Sequence, residues 1–547
     1  MTAPLSRRKR ERVFAWLGAA LALAAAIAAM HAFNLRTQPV FAQRAHPILH
    51  QAALHAHPEI PRELSSMVPD NEPPLFRLSN LTSAWLGDNY AAYMAAQLVL
   101  FAAFVGACAA IGFRVRGRRG AAWTAAFAAW LPAAHFAALG YDDHLFNMTL
   151  TALAVACVIG ARGARLVAGA FLAGAFAGIA LRYAFIGSNG LLVAAAVASA
   201  IVGAAVDAFG TQDAAPEPRA RTLAFGTGAL AVFGIAAAIF AARGGSLEYL
   251  SPGYYGGEVG NAPFSGFVPW LRSLAAYPLL LMRFHWGVPL TACVLVALWT
   301  HFERRLPGRF ALAAWLLMEI VALSAIPKKH QWYIDYALIA AAPIAGVASA
   351  YWRELGRESR AGRVAVPTLL AACVAWAAWG LARPSPAWMQ AAFMDIVMDE
   401  RGRSLMMPIT VTSDAADEAG ALSALTRSRR GADEPRVLVV LDWVGPLEEF
   451  RYEFALRDRA LRLYVVGAAV LPPPSGKPFL VYPRRHGEDA PPPLPELVER
   501  TIGYVEARIA EGAAPVDRLP HLYDLRARAG EFRVVHEGPD LVVYDTP

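Results

Sequence analysis

Charge is scarce in this chain: 17% of its 547 residues are Asp, Glu, Lys or Arg, against 56% hydrophobic. A soluble protein of that length needs more charge than this to cover its surface, so the chain reads as a membrane protein. Cysteine is scarcer still. Cys108, Cys157, Cys293 and Cys373 all lie inside apolar runs, which argues against a disulfide framework or a cysteine-based metal site and leaves the redox compartment open. A Gly-rich phosphate loop, a nucleophile elbow and a helix-borne zinc motif are also missing.

Apolar runs are what the chain has in abundance. Stretches of about 17–25 residues, each long enough to cross the hydrocarbon core, recur through residues 1–382, and 383–547 reads as ordinary soluble sequence. The net charge of +7 would point to a nucleic-acid partner in a soluble protein. Here the basic residues gather in short links between apolar runs, where positive charge stays in the cytoplasm and fixes orientation.

Taken in order, Arg7, Arg8, Lys9, Arg10 and Arg12 precede a first helix at 13–32, which puts the N-terminus inside. A polar loop, 34–82, is then external. Helices at 88–113 and 121–140 flank Arg114, Arg116, Arg118 and Arg119, and the chain turns at Tyr141-Asp142-Asp143-His144 before returning to Arg162 and Arg165. Further helices are expected at 166–182, 190–208, 223–242, 286–302, 310–326, 332–352 and 364–382, with Arg219, Arg221, Arg304, Arg305, Arg309, Arg353, Arg357, Arg360 and Arg363 in the inward links. That gives about eleven helices, an inner-membrane location and an external tail. In the tail, Val437–Leu441 and Phe479–Tyr482 read as buried strands and Leu494–Ile509 as an amphipathic helix. Phe532–Val535 and Leu541–Tyr544 read as a closing hairpin across Gly538-Pro539-Asp540. The fold class is therefore mainly α: a polytopic membrane domain, 1–382, followed by an external α/β domain, 383–547.

Few side chains outside the basic links carry chemistry. Asp142 and Asp143 sit at the mouth of a helix pair, where a carboxylate either caps the next helix or faces water or a ligand, two roles that are compatible. Asp70-Asn71-Glu72-Pro73-Pro74 is a rigid turn that also brings two carboxylates near the membrane surface as candidate general bases. His46 and His50 are spaced to share a helical face but lack a wider ligand motif, so no metal and no cofactor are expected. Arg182, Lys328 and Lys329 are cations on the external side, against the orientation bias; they either snorkel to lipid headgroups or hold a phosphate. The remaining charges gather at helix ends.

In layout and in four local patterns, residues 12–352 resemble the GT-C fold glycosyltransferases, in particular the protein mannosyltransferase-like and aminoarabinose transferase-like branch. Glu72-Pro73-Pro74-Leu75-Phe76 with Trp85-Leu86-Gly87 looks like the family's His-Pro-Pro-Leu-Tyr stretch. Asp143 looks like the Asp that opens the family's fourth helix. Gly174 to Arg182-Tyr183 looks like its Gly-rich helix ending in a cation and a tyrosine, and Lys329, Tyr336 and Pro343 like its late segment. The resemblance implies transfer of a sugar from a polyprenyl-phosphate donor to an envelope lipid, glycan or protein. Asp143, Glu72, Asp70 or Asp142 would be the base, and Arg182, Lys328 and Lys329 would hold the donor phosphate. The chain departs from the family shortly after the first helix, where Arg44-Ala45-His46-Pro47 replaces the usual acidic residue. Either Asp70 or Glu72 stands in for it, or the protein binds a lipid-linked sugar without transferring it. The rivals are a transporter or flippase of an anionic or lipid-linked substrate and a non-catalytic envelope scaffold.

Overall fold

A chain crossing hydrocarbon must satisfy its own backbone, and the apolar runs do so as helices. The computed structural model describes residues 90–131, 144–183, 187–209, 217–242, 286–325, 328–329, 339–358 and 360–382. Beyond these it describes 395–398, 404–407, 415–430, 436–441, 461–465, 478–483, 491–510, 519–538 and 541–546, with isolated positions before 90 and at 278 and 282. The chain divides into two compact units, one including Ala96–Thr410 and the other Val411–Pro547.

In the first unit, α1 (Tyr90–Trp130) consists of two helical arms that meet at Arg116 and Gly117, with Gly117 at φ 60, a left-handed conformation that glycine adopts without strain. The arms fold back on each other. A Cβ at Gly112 would strike the Thr124 hydroxyl, although a straight helix would hold residues twelve apart at about 18 Å. There follow α2 (His144–Val158), α3 (Ala164–Tyr183), α4 (Gly187–Phe209), α5 (Glu217–Ala242), α6 (Gly287–Glu303) and α7 (Arg309–Ala325). The strand β1 (Lys328–Lys329) leads to α8 (Ala341–Glu358) and α9 (Arg360–Ala382). Four described segments, Ala95–Trp130, Ala164–Arg182, Leu192–Phe209 and Ala224–Ala242, are long and apolar enough to cross a membrane, and Leu145–Val158, Gly287–Glu303 and Arg363–Trp376 are shorter apolar helices.

Helix packing in the unit relies on small residues, as it must where lipid removes the hydrophobic drive between helices. Gly174 and Gly178, one turn apart on α3, let α5 approach closely: a Cβ at Gly174 would meet the Phe233 backbone, and one at Gly178 the Phe240 side chain. Gly203 of α4 does the same for Phe310 and Ala311 of α7. The exposed Val288, Leu295 and Trp299 of α6 and Leu317 and Val321 of α7 form an apolar outer surface suited to lipid. A small antiparallel sheet completes the unit, in the order β1, β2 (Asp395–Met398), β3 (Ser404–Met407), with Lys328 opposite Val397 and Lys329 opposite Ile396.

The second unit is a layered α/β structure. Its sheet has the order β5 (Leu461–Val465), β4 (Arg436–Val440), β6 (Phe479–Pro483), β8 (Leu541–Asp545), β7 (Arg533–Glu537), parallel from β5 through β6 and antiparallel beyond. Alternation along the strands divides the two faces. Leu480, Tyr482, Val542 and Tyr544 join a core with Leu494, Leu497, Val498 and Ile502 of α11 (Leu494–Ala510) and Leu522 and Leu525 of α12 (Leu519–Arg528). The alternate residues meet α10 (Ala415–Arg430). There Arg430 lies over the Phe479 ring and pairs with the buried Asp545, Arg429 joins the same carboxylate at 3.2 Å, and the buried Arg436 donates to the Ser423 carbonyl. Helices on both faces explain why these strands read as continuous apolar runs.

Candidate functional site

The links between membrane helices sort to opposite ends of the bundle. At one end, Gly160 lies beside the Arg114 carbonyl, and Gly308 lies against Ile159 and Val115, so the bend in α1 and the links after α2 and α6 converge. Arg116 stacks over the Tyr351 ring at 4.0 Å and pairs with Glu354, which brings the end of α8 to the same place. Asp207, near the end of α4, belongs here too: its Oδ2 accepts from the backbone N–H groups of Phe310 at 3.1 Å and Ala311 at 3.3 Å. These are orphan donors in the first turn of α7. The preceding Leu306-Pro307-Gly308 offers no side-chain cap, so α7 is capped by another helix. The links meeting at this end carry Arg114, Arg116, Arg162, Arg165, Arg304, Arg305 and Arg309.

The other end holds the residues singled out as phosphate ligands. From the basic end, α3 runs away and finishes in Arg182-Tyr183. Since α7 begins beside the end of α4 and packs along it, the two helices are antiparallel, and α7 exits where α4 begins, beside the end of α3. Arg182 and the strand Lys328-Lys329 therefore occupy the same end of the bundle. The start of α2 lies there as well, at His144, the residue after Asp143. Asp143 itself, with Asp142, Asp70, Glu72, His46 and His50, lies outside the described residues.

Local packing accounts for much of what resembled a motif. Gly174 and Gly178 are contact points for α5, and Arg182 follows one turn beyond Gly178 on the same stripe. It is half-buried and in the last turn of α3, where a cation complements the helix dipole. Lys328 and Lys329 are held by main-chain pairing to β2, which fixes their backbone. Pro343 falls in the first turn of α8, where the missing N–H costs no helical bond.

Several buried polar groups within the helices escaped the sequence reading. Glu319, in the middle of α7, is 1% exposed; its Oε1 accepts from the Trp315 indole N–H at 2.7 Å, and Oε2 has no partner among the described residues. This corrects the expectation that the remaining charges gather at helix ends, and the signal was present in the sequence as a lone acidic residue inside an apolar run. The buried His301 sits 3.1 Å, through Nε2, from the Ile344 carbonyl, and the fully buried Gln97 has no amide partner among the described residues. Among the described residues no group of three His, Cys, Asp or Glu is placed to hold a metal.

The architecture is the GT-C fold of polytopic membrane glycosyltransferases. Among solved structures, ArnT (aminoarabinose transferase) from Cupriavidus metallidurans in the apo state superposes with a TM-score of 0.51 at 15% identity, over 97% of this chain and 98% of that one. The same protein bound to undecaprenyl phosphate gives 0.50 at 13% identity, over 97% of each chain. At such identities the likeness is one of fold. No protein-family profile matches the chain, and no curated protein does.

Proposed function

We propose that this protein transfers a sugar from a polyprenyl-phosphate donor to a lipid, glycan or protein acceptor at the external face of the inner membrane. The observation that carries the reading is the gathering of Arg182, the Lys328-Lys329 strand and the start of α2 at one end of the bundle, opposite the arginine-rich links. With the basic end cytoplasmic, these cations lie where a donor with an apolar tail and an anionic head would present its phosphate. Arg182, Lys328 and Lys329 stabilise the leaving phosphate. Asp143, or Asp142, Asp70 or Glu72, takes the acceptor proton. No cofactor or metal enters this chemistry, and Val411–Pro547 belongs to a compact unit of its own.

The likeness to a structure that holds undecaprenyl phosphate supports the donor class. The test is mass spectrometry of lipid-linked glycans in cells lacking the chain, with wild type and Asp143→Asn restored in turn. An accumulated donor that only wild type clears supports the reading; an unchanged lipid pool sinks it.

A second reading, a transporter or flippase of an anionic or lipid-linked substrate, has one observation in its favour. Glu319 is an ionisable group buried within the bundle, which substrate pathways use. Glu319→Gln separates the two: it would abolish translocation in a transporter, and it leaves transfer chemistry at the external face in place.

A further inference from the structure

Where three links meet at the basic end of the bundle, the arginines divide into two sets. Arg116 and Arg309 have internal partners: Arg116 the Tyr351 ring and Glu354, and the buried Arg309 the Phe310 ring at 5.0 Å. Arg114, Arg162 and Arg305 are exposed, and among the described residues none of them forms an ion pair. Each comes from a different link, and each lies close to a point where the links touch. A Cβ at Gly160 would stand 3.9 Å from the Arg114 carbonyl, and one at Gly308 would strike Ile159. Arg162 follows Gly160 by two residues and Arg305 precedes Gly308 by three, so their backbones lie within about 10 Å of those contacts.

Arg305 stands out for a second reason. The N–H of Leu306 donates to the His301 carbonyl at 2.9 Å and that of Arg305 to the Phe302 carbonyl at 3.2 Å, which ends α6 in the motif whose left-handed position is usually glycine. Arg305 holds that position at φ 47, and among the described residues no other residue with a side chain has a positive φ. In the neighbouring links the left-handed positions are Gly117, Gly160, Gly163 and Gly308. A side chain kept in this conformation at a cost points to a use that glycine could not serve.

We infer that Arg114, Arg162 and Arg305 form a headgroup site for an anionic phospholipid in the leaflet that the basic end meets, and that a lipid with two phosphates, of the cardiolipin class, fits it best. Two of the links leave apolar helices that end at Val158 and Glu303, so their arginines stand at the level where headgroups begin. The exposed Phe113 and Phe302 shortly precede Arg114 and Arg305 and offer apolar surface to the acyl chains. Three guanidinium groups gathered in one place repel one another. A phosphate relieves this by accepting charge-assisted hydrogen bonds, two of them from a single guanidinium fork. One phosphate leaves most of the charge unbalanced, whereas two, with the exposed Glu303 nearby, bring it close to neutral. Basic pockets between membrane helices take such headgroups. Bound lipid thus ties the bend of α1 to the ends of α2 and α6.

The test is native mass spectrometry of the full-length chain released from detergent micelles, with cardiolipin, phosphatidylglycerol or phosphatidylcholine added and glycerol phosphate as the soluble competitor. Cardiolipin should be retained most strongly and phosphatidylcholine least, and excess glycerol phosphate should not displace cardiolipin. Arg114→Gln, Arg162→Gln and Arg305→Gln combined should weaken cardiolipin binding by on the order of 10-fold or more. Arg500→Gln, Arg526→Gln and Arg528→Gln combined remove the same charge from the second unit and should leave it unchanged. Arg305→Gly keeps the test informative where the triple variant folds poorly. It relieves the left-handed side chain, so its unfolding midpoint in SDS should be no lower than that of wild type while cardiolipin binding falls. Equal retention of cardiolipin and phosphatidylcholine, full retention by the first triple variant, equal losses in both triple variants, or undiminished binding in Arg305→Gly overturns the inference. Displacement by glycerol phosphate assigns the arginines to a soluble phosphate and overturns the lipid. None of these readouts depends on sugar transfer.

Discussion

Replacing Asp207 with alanine removes the only described cap on α7. Two backbone N–H groups, at 3.1 Å and 3.3 Å from Oδ2, lose a charged acceptor at a site where Asp207 and Arg309 are both mostly buried. Loss of an ordinary N-cap costs about 0.5–2 kcal/mol, and a hydrogen bond to a charged group is worth about 1.5–3 kcal/mol. The cap figure sets the floor; two bonds, partly replaced by water at the polar end of the bundle, set the ceiling. The expected loss is about 2–3 kcal/mol. Asp207→Asn keeps a carbonyl oxygen for one of the N–H groups and loses mainly the charge at the helix N-terminus, so about 1 kcal/mol is expected. Equilibrium unfolding of the purified protein in mixed micelles, titrated with SDS, measures both. Alanine and wild-type proteins of equal stability, or an asparagine variant as damaged as the alanine one, would refute the capping role.

Gly178→Leu should force α3 from α5, because the larger side chain has no room beside Phe240, and the expected cost is about 1–3 kcal/mol; the same unfolding assay reads it, and unchanged stability would contradict the close contact. Asp545→Ala strands Arg429 and Arg430 against the sheet of the second unit, for an expected loss of about 3 kcal/mol, visible as faster tryptic cleavage of that unit in the intact protein. Asp143→Asn and Glu72→Gln, made separately, should identify the base by a fall in transfer of on the order of 10²-fold or more with expression unchanged; full activity in both moves the assignment to Asp70, Asp142 or His46. A reporter fused after Pro547 should be active only outside the cytoplasm, and the opposite result reverses the assignment of both faces.

The membrane helices were legible because length and hydropathy dominate there. Expected segments at 190–208, 310–326 and 364–382 meet observed helices at Gly187–Phe209, Arg309–Ala325 and Arg360–Ala382. In the second unit the strands with continuous apolar runs were found: Val437–Leu441 is observed as Arg436–Val440, and the closing hairpin as β7 and β8. β5 was missed. Its sequence Leu461-Arg462-Leu463-Tyr464-Val465 carries a charge, and its place at the sheet edge comes from pairing with β4, which no local pattern encodes. The same holds for β1: two lysines have no strand propensity of their own and become a strand only because residues 396 and 397 lie opposite them.

The candidate site was legible in its charges and not in its supports. Arg182, Lys328 and Lys329 stood out because cations outside the basic links break the orientation rule. What brings them to one end of the bundle is a chain of contacts between distant segments. Asp207 fixes the start of α7 at the end of α4, so α7 exits beside the end of α3. Gly174 and Gly178 seat α3 against α5. Displacing any of these residues would move a cation relative to the others. Glycines that resemble a family pattern are then accounted for by packing, and the cation that follows them by its position at a helix end. Glu319 is different. No packing argument requires a carboxylate there, since its indole partner Trp315 is on the same helix one turn away and an apolar pair would fill the space at lower desolvation cost. A buried acid that, among the described residues, does not hold two helices together is better explained by something it meets in the working protein, and this is why Glu319→Gln separates transfer from translocation more cleanly than any substitution of Arg182, Lys328 or Lys329.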